Sequence, residues 1–342
     1  MLRVLTDSKT IPGVETMQIK KAIDKIPAGL MLVPLFIGSL VRTLFPEAFE
    51  SQAFTHSFTG GLLTGTTALL GGFYLCLGAT IRFDATGYVL KKGGALWLGK
   101  IGTTFVIALL IKSIFPDQNN LFLGLSALAI VAAFSDTNGA IYMALMGQLG
   151  KKKEDIAAYS IMSLESGPFF TMLILGIAGL ASFPISAFVF TLLPLAVGMI
   201  LGNLDEKMRE FLSKGEDVFI PMLGLAIGAG INLTNVMKAG LSGIILGIAV
   251  VAITGIALFM LDRITGGDGV GGLAASNTAG NAAAVPLSLA AVNPIYNEVA
   301  ANATLQVSAA VIVTAILSPT LTVWYAKRVE KRKVQNVNNI GA

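Results

Sequence analysis

Ser135-Asp136-Thr137-Asn138-Gly139 and Ser276-Asn277-Thr278-Ala279-Gly280 are two short polar stretches, each set inside an otherwise apolar run. Polar backbone and side-chain groups do not sit in hydrocarbon unless protein or a water-filled cavity satisfies them. Matching interruptions in the two halves of a membrane chain point to a transporter's binding site. The pair predicts helices broken near the bilayer midplane.

Composition agrees. Hydrophobic residues make up 54% of the 342 and charged residues 13%, against about 25% charged in a soluble domain. Mean hydropathy is +0.76, and apolar runs of roughly 20 residues recur along the chain, as in a polytopic helical membrane protein. The net charge of +4 does not imply a nucleic-acid partner, because the basic residues cluster in short connections between spans. A single cysteine, Cys76, excludes an intramolecular disulfide, and a single histidine, His56, argues against a histidine metal site. No cleavable signal peptide is expected, since the first apolar run starts near Ile26 and others follow. Met17 reads as well as Met1 for the start of translation.

Ten spans are expected: Ile26–Phe45, Gly61–Ile81, Gly94–Phe115, Leu121–Gly150, Ile156–Leu180, Ile185–Gly202, Val218–Ile231, Gly240–Leu261, Val270–Val292 and Val299–Trp324. Lysine and arginine concentrate in the N-terminal segment, the even-numbered connections and the tail, whereas the odd connections hold only Arg42, Lys112 and Lys238. That alternation predicts both termini in the cytoplasm and an even number of spans in the cell membrane. Residues 1–25 read as a cytoplasmic segment, 26–182 and 183–327 as two five-span units, and 328–342 as a basic tail.

The two units match segment by segment. Pro34–Gly38 pairs with Pro194–Gly198, Leu77–Ile81 with Ile227–Ile231, the two interruptions with each other, and Asp155–Ala158 with Glu298–Ala301, at offsets of 160, 150, 141 and 143 residues. Five spans per unit is an odd number, so the second enters the membrane from the opposite side. The predicted fold is therefore all-α, an inverted repeat with broken helices four and nine crossing near the midplane.

Asp, Ser, Thr and Asn cap helix N-termini, and Gly relaxes the backbone, so each interruption can end one half-helix and start another. The half-helices starting near Ala140 and Asn281 offer free N–H groups and a positive dipole end to an anion. The candidate solute-binding residues are Ser135, Thr137, Asn138, Ser276, Asn277, Thr278, Asn281 and Gln306. A purely structural kink is the alternative. Lys100, Asp136 and Glu165 are the ionisable residues deep within the predicted spans, where charge is costly. Asp136 lies about 20 Å from either end of its span at 1.5 Å per residue. Glu165 and Asp136 are candidate proton carriers; pairing with Lys100 is the competing role. Gly267-Asp268-Gly269-Val270-Gly271-Gly272 matches GxGxxG but follows a membrane span, so close helix packing is expected rather than dinucleotide binding.

The chain resembles the 2-keto-3-deoxygluconate permeases from Met17 to Val329. The resemblance is carried by Lys25-Ile26-Pro27-Ala28-Gly29, Gly78-Ala79-Thr80-Ile81, the Ser135–Gly139 stretch, Glu165-Ser166-Gly167-Pro168 and Ala275–Asn281. It implies proton-coupled uptake of a six-carbon 2-oxo sugar acid. Ten spans with broken fourth and ninth helices also look, more distantly, like the bile-acid sodium symporter fold, in which a core rocks against a panel of spans one, two, six and seven. A sodium-coupled organic-anion symporter is thus the runner-up. A channel would need a continuous polar face along several spans, and an enzyme a nucleophile with a base or a metal cluster; neither pattern is present. No resident cofactor is expected, the partners are the solute and the bilayer, and the oligomeric state is not legible.

Overall fold

The computed structural model describes residues 18–340 apart from 24, 26–28, 83–86, 151 and 231–235. The expected start of span one at Ile26 and end of span seven at Ile231 lie outside the described residues. The principal helices are α1 (Gly29–Leu44), α2 (Thr66–Thr80), α3 (Gly87–Ile114), α4 (Ala127–Phe134), α5 (Gly139–Leu149) and α6 (Pro168–Ile177). They are followed by α7 (Ile185–Leu204), α8 (Glu206–Ala229), α9 (Val236–Ile264), α10 (Val270–Ala274), α11 (Val285–Val292) and α12 (Ala300–Ile340).

Among the described residues, five helices are long and apolar enough to cross a membrane, or seven if each of two bent pairs is one span. The chain is a multi-pass helical membrane protein. Both expected interruptions occur: α4 and α5 flank residues 135–138, and residues 275–279 part α10 from the Gly280–Val292 helix, whose first turn is 3₁₀. Two further bends were not anticipated as breaks. Phe58–Thr64 meets α2 at 68° across Gly65, and Glu154–Glu165 meets α6 at 57°. The second has a clear cause. Pro168 starts α6 because it donates no N–H, and Gly167 before it holds φ at +94°, a conformation open to glycine. The basic tail continues α12, which runs on to Ile340.

Packing divides the helices into two groups. In the first, α1 packs along α8, and α2 along α7 and α8; in the second, α9 packs on α12, α10 and α3, with α4 held between α3, α6 and α12. Glycine decides how closely the first group packs. Gly38 faces the Leu225 carbonyl and Gly228 the Leu35 carbonyl, with no room for a Cβ; Gly198 faces the Leu75 carbonyl and Gly78 the Leu195 carbonyl in the same way. Each contact in the α1–α8 pair thus has a counterpart in the α7–α2 pair, displaced by 160 or 150 positions along the chain. Small residues let helix backbones touch where lipid supplies no hydrophobic drive, and dispersion does the holding. In the second group every residue of α4 is buried, as expected of a helix that is apolar all round. The Gly267–Gly272 motif packs as expected: Gly272 abuts the Leu258 carbonyl, and the Asp262 carboxylate accepts from Gly269 N at 2.9 Å.

Candidate solute site at the crossing of the interrupted helices

The interruptions are built from their own residues. Ser135 closes α4, and its hydroxyl shares a hydrogen bond of 2.8 Å with Thr171. Asn138 caps α5, its Oδ1 accepting from Ile141 N at 3.1 Å. On the other side, Ser276 Oγ donates back to the Leu273 carbonyl at 2.6 Å, and Asn277 Nδ2 to that of Ala274 at 2.8 Å. The second satisfies the Ala274 carbonyl that the broken helix leaves open, while the Leu273 carbonyl also accepts from Ser276 N and Ser318 Oγ.

The two interruptions are also bonded to each other. Asn138 N donates to Asn277 Oδ1 at 2.7 Å, Thr278 Oγ1 to the Ala133 carbonyl at 2.9 Å, and Ala279 N to the Asp136 carbonyl at 3.2 Å. Each such bond contributes about 0.5–1.5 kcal/mol net, and its loss leaves a dry polar group that costs more. Lys100 of α3 stands behind the crossing. Its fully buried ammonium donates to the Asn277 carbonyl at 2.6 Å, with Glu165 and Asp136 as charged neighbours. Asp136 accepts long bonds from Ser166 Oγ (3.4 Å) and Gly167 N (3.5 Å). Glu165, at 1% exposure, differs: both carboxylate oxygens are buried without a hydrogen-bond partner, as is Thr137 Oγ1 beside it.

A cavity of about 790 Å³ opens between the two helix groups and reaches the crossing. Its volume falls within the roughly 300–1,000 Å³ usual for small-molecule sites. One wall is Leu30 and Met31 of α1, Phe73, Leu77 and Thr80 of α2, and Ile220 and Leu223 of α8. The other contains Thr137–Ala140, Ala279–Asn281, Tyr159, Ser160, Ser163 and Ser166. Arg82, Glu154 and, from α8, Glu216 and Asp217 also line the cavity. The first residues of α5, Gly139 and Ala140, and those of the Gly280–Val292 helix, Gly280 and Asn281, line this one cavity. Two positive dipole ends therefore converge on it.

Of the candidate binding residues, Thr137, Asn138 and Asn281 line the cavity. Ser135, Ser276, Asn277 and Thr278 are buried behind it and bonded within the protein. Gln306 lies elsewhere on α12, its Nε2 donating to the Gly124 carbonyl at 2.8 Å and to Ser242 Oγ at 3.1 Å. Sequence reasoning missed Tyr159, whose hydroxyl donates to the Thr137 carbonyl at 3.4 Å, and the serines at 160, 163 and 166. The three-residue spacing of those serines on one helix face was the available signal. It also missed a buried ion cluster away from the cavity: Lys92 of α3 pairs with Asp155 at 2.7 Å and Asp262 at 3.5 Å.

Interrupted helices bonded back to back, with their N-termini lining one solute-sized cavity between two helix groups, fit a membrane protein of the solute-transporter class. Residues 20–331 match the family described as "KdgT: 2-keto-3-deoxygluconate permease". The chain belongs to that family. It is 49% identical over 316 residues to the 2-keto-3-deoxygluconate permease of Enterobacter sp. (strain 638), covering 91% of this chain and 94% of that one. It is 44% identical over 321 residues to the permease of the same description from Bacillus subtilis (strain 168), covering 93% and 96%. The corresponding figures for Escherichia coli O7:K1 (strain IAI39 / ExPEC) are 47% over 320 residues, covering 92% and 97%.

Proposed function

We propose that the chain is a secondary active transporter that takes up 2-keto-3-deoxygluconate together with a proton across the cell membrane, by alternating access. The observation that carries this reading is the convergence of two half-helix N-termini, at Gly139–Ala140 and Gly280–Asn281, on one cavity. Such ends suit the carboxylate of a 2-oxo acid, and Asn138 and Asn281 add amide groups for its carbonyl and hydroxyls. Family membership supports the solute. Asn138 and Asn281 are the direct contacts in this proposal, while Ser135, Thr137, Ser276, Asn277 and Thr278 hold them in place. Glu165, with Asp136, carries the proton.

The fold is read as ten spans in two inverted repeats, 26–182 and 183–327, flanked by cytoplasmic ends. The matched glycine contacts of the α1–α8 and α7–α2 pairs support this, since a two-fold axis in the membrane plane exchanges them. Arg82, Glu154, Glu216 and Asp217 fall in stretches that the basic-residue pattern assigns to the cytoplasm, which supports reading the cavity as inward-open. The glycine-packed group is the panel, and the crossing rides in a core that rocks against it.

Two experiments test the reading. Membrane vesicles given separate proton and sodium gradients should accumulate labelled 2-keto-3-deoxygluconate with the proton gradient. Accumulation driven by sodium alone would replace the proposal with the sodium-coupled alternative. For topology, in a background lacking Cys76, an impermeant thiol reagent should modify a cysteine at position 56 in intact cells. A cysteine at 152 should react only after permeabilisation. The reverse pattern, or equal labelling, would sink the ten-span orientation.

A further inference from the structure

The cavity wall formed by residues 160–166 has a polarity opposite to that of the helix N-termini. Ser160, Ser163 and Ser166 are three residues apart, all line the cavity, and lie on the last turns before the bend at Gly167. Each hydroxyl directs its single proton into the protein: Ser160 Oγ to the Ala157 carbonyl at 2.8 Å, Ser163 Oγ to the Ser160 carbonyl at 3.0 Å, and Ser166 Oγ to Asp136 Oδ1 at 3.4 Å. A hydroxyl has one proton and two lone pairs. With the protons committed inward, the lone pairs are what remains for the cavity.

We infer that Ser160, Ser163 and Ser166 form a hydrogen-bond-accepting wall that selects the hydroxylated tail of the solute. The inference rests on the transport reading above and adds to it a basis for specificity. The cavity thus has one end where the backbone N–H groups of Gly139, Ala140, Gly280 and Asn281 donate, and one wall that chiefly accepts. A carboxylate, which is acceptor-only, is matched at the first and repelled at the second. Alcohol groups, which can donate, are matched at the second. A solute with an anionic head and a polyhydroxyl tail is therefore bound in one orientation, and a 2-oxo acid with a plain alkyl tail finds only the head site.

The test compares two ligands of equal carbon number, 2-keto-3-deoxygluconate and 2-oxohexanoate, by equilibrium binding to the purified full-length protein and its variants. A net hydrogen bond is worth about two- to twelvefold in affinity, so the unmodified protein should prefer the hydroxylated acid by at least about tenfold. In the Ser160→Ala, Ser163→Ala double variant that preference should shrink about tenfold, entirely through weaker binding of 2-keto-3-deoxygluconate, with 2-oxohexanoate unaffected. Ser160→Thr, which keeps the hydroxyl, should retain the preference of the unmodified protein. If the double variant does not fold, Ser160→Ala alone should lower the preference about threefold, because that residue is only half-buried. An unchanged preference, or equal weakening of both ligands, would overturn the inference and leave the transport reading standing. If the unmodified protein binds neither acid, the transport reading fails and the inference falls with it.

Discussion

Glu165→Gln is expected to abolish accumulation driven by a pH gradient while solute exchange across the membrane continues within about threefold of the original rate. The carboxyl of Glu165 is 1% exposed, and neither oxygen has a hydrogen-bond partner. A charged carboxylate in such a place is poorly solvated, so gaining a proton relieves a large penalty. With Lys100 charged, ionised Asp136 and Glu165 leave the group one unit negative, and one proton brings it to neutrality. Glutamine reproduces the neutral, protonated shape but has no proton to release. A gradient of one pH unit corresponds to 1.36 kcal/mol, enough to hold about tenfold accumulation per proton. That tenfold is what the variant should lose in vesicles. Exchange survives because the loaded core returns without releasing its proton. Full accumulation by Glu165→Gln would remove this residue from the coupling role and leave Asp136 to be tested as Asp136→Asn.

The second large effect is expected at Asn277, which no solute touches in the proposed arrangement. Its side chain accepts from Asn138 N and donates to the Ala274 carbonyl, and its own carbonyl receives Lys100. Asn277→Ala strands an N–H and a carbonyl in a dry interior, at about 1–3 kcal/mol each. Melting in detergent should fall by several degrees, and solute affinity should drop at least about tenfold because Asn138 loses its anchor. The effect separates two meanings of a binding residue. Asn281→Ala, at a position on the cavity wall with a half-buried side chain, should weaken binding and leave the melting temperature in place. Unaltered melting and affinity in Asn277→Ala would show that the crossing is held by something else.

Much of this architecture is legible in the sequence because membrane physics makes exceptions conspicuous. A run such as Ser135–Asn138 inside hydrocarbon-length apolar sequence has few permitted explanations, and the break and capping at Asn138 follow from residue type alone. Gly167-Pro168 was equally readable as a place where backbone bonding fails. What could not be read is direction. Thr137 and Thr278 occupy equivalent positions in their motifs, yet the hydroxyl of one is buried beside Glu165 and that of the other donates to Ala133. Only the packing of neighbouring helices decides between them. The spacing of Ser160 and Ser163 puts them on one helix face, but serine in a membrane helix usually bonds to its own preceding turn, so spacing alone does not show what its lone pairs face. Lys92 beside Lys91 reads as part of a basic connection. Its burial between Asp155 and Asp262 depends on three separate segments meeting.

The bonds that Asn277, Thr278 and Ala279 make to Ala133, Asp136 and Asn138 join protein groups to one another and need no solute as a partner. The receptor is therefore held in shape by its own chain rather than by its guest. A loose site would spend part of its binding energy on ordering itself, and its apparent affinity would be diluted by the fraction of time it was misassembled. In the proposed rocking cycle that tax falls elsewhere, on the rigid-body swing of the core. Evolution can then retune which sugar acid is accepted by changing wall residues, without touching the scaffold that makes the half-helix ends converge. Specificity and transport cycle are, in that sense, separately adjustable.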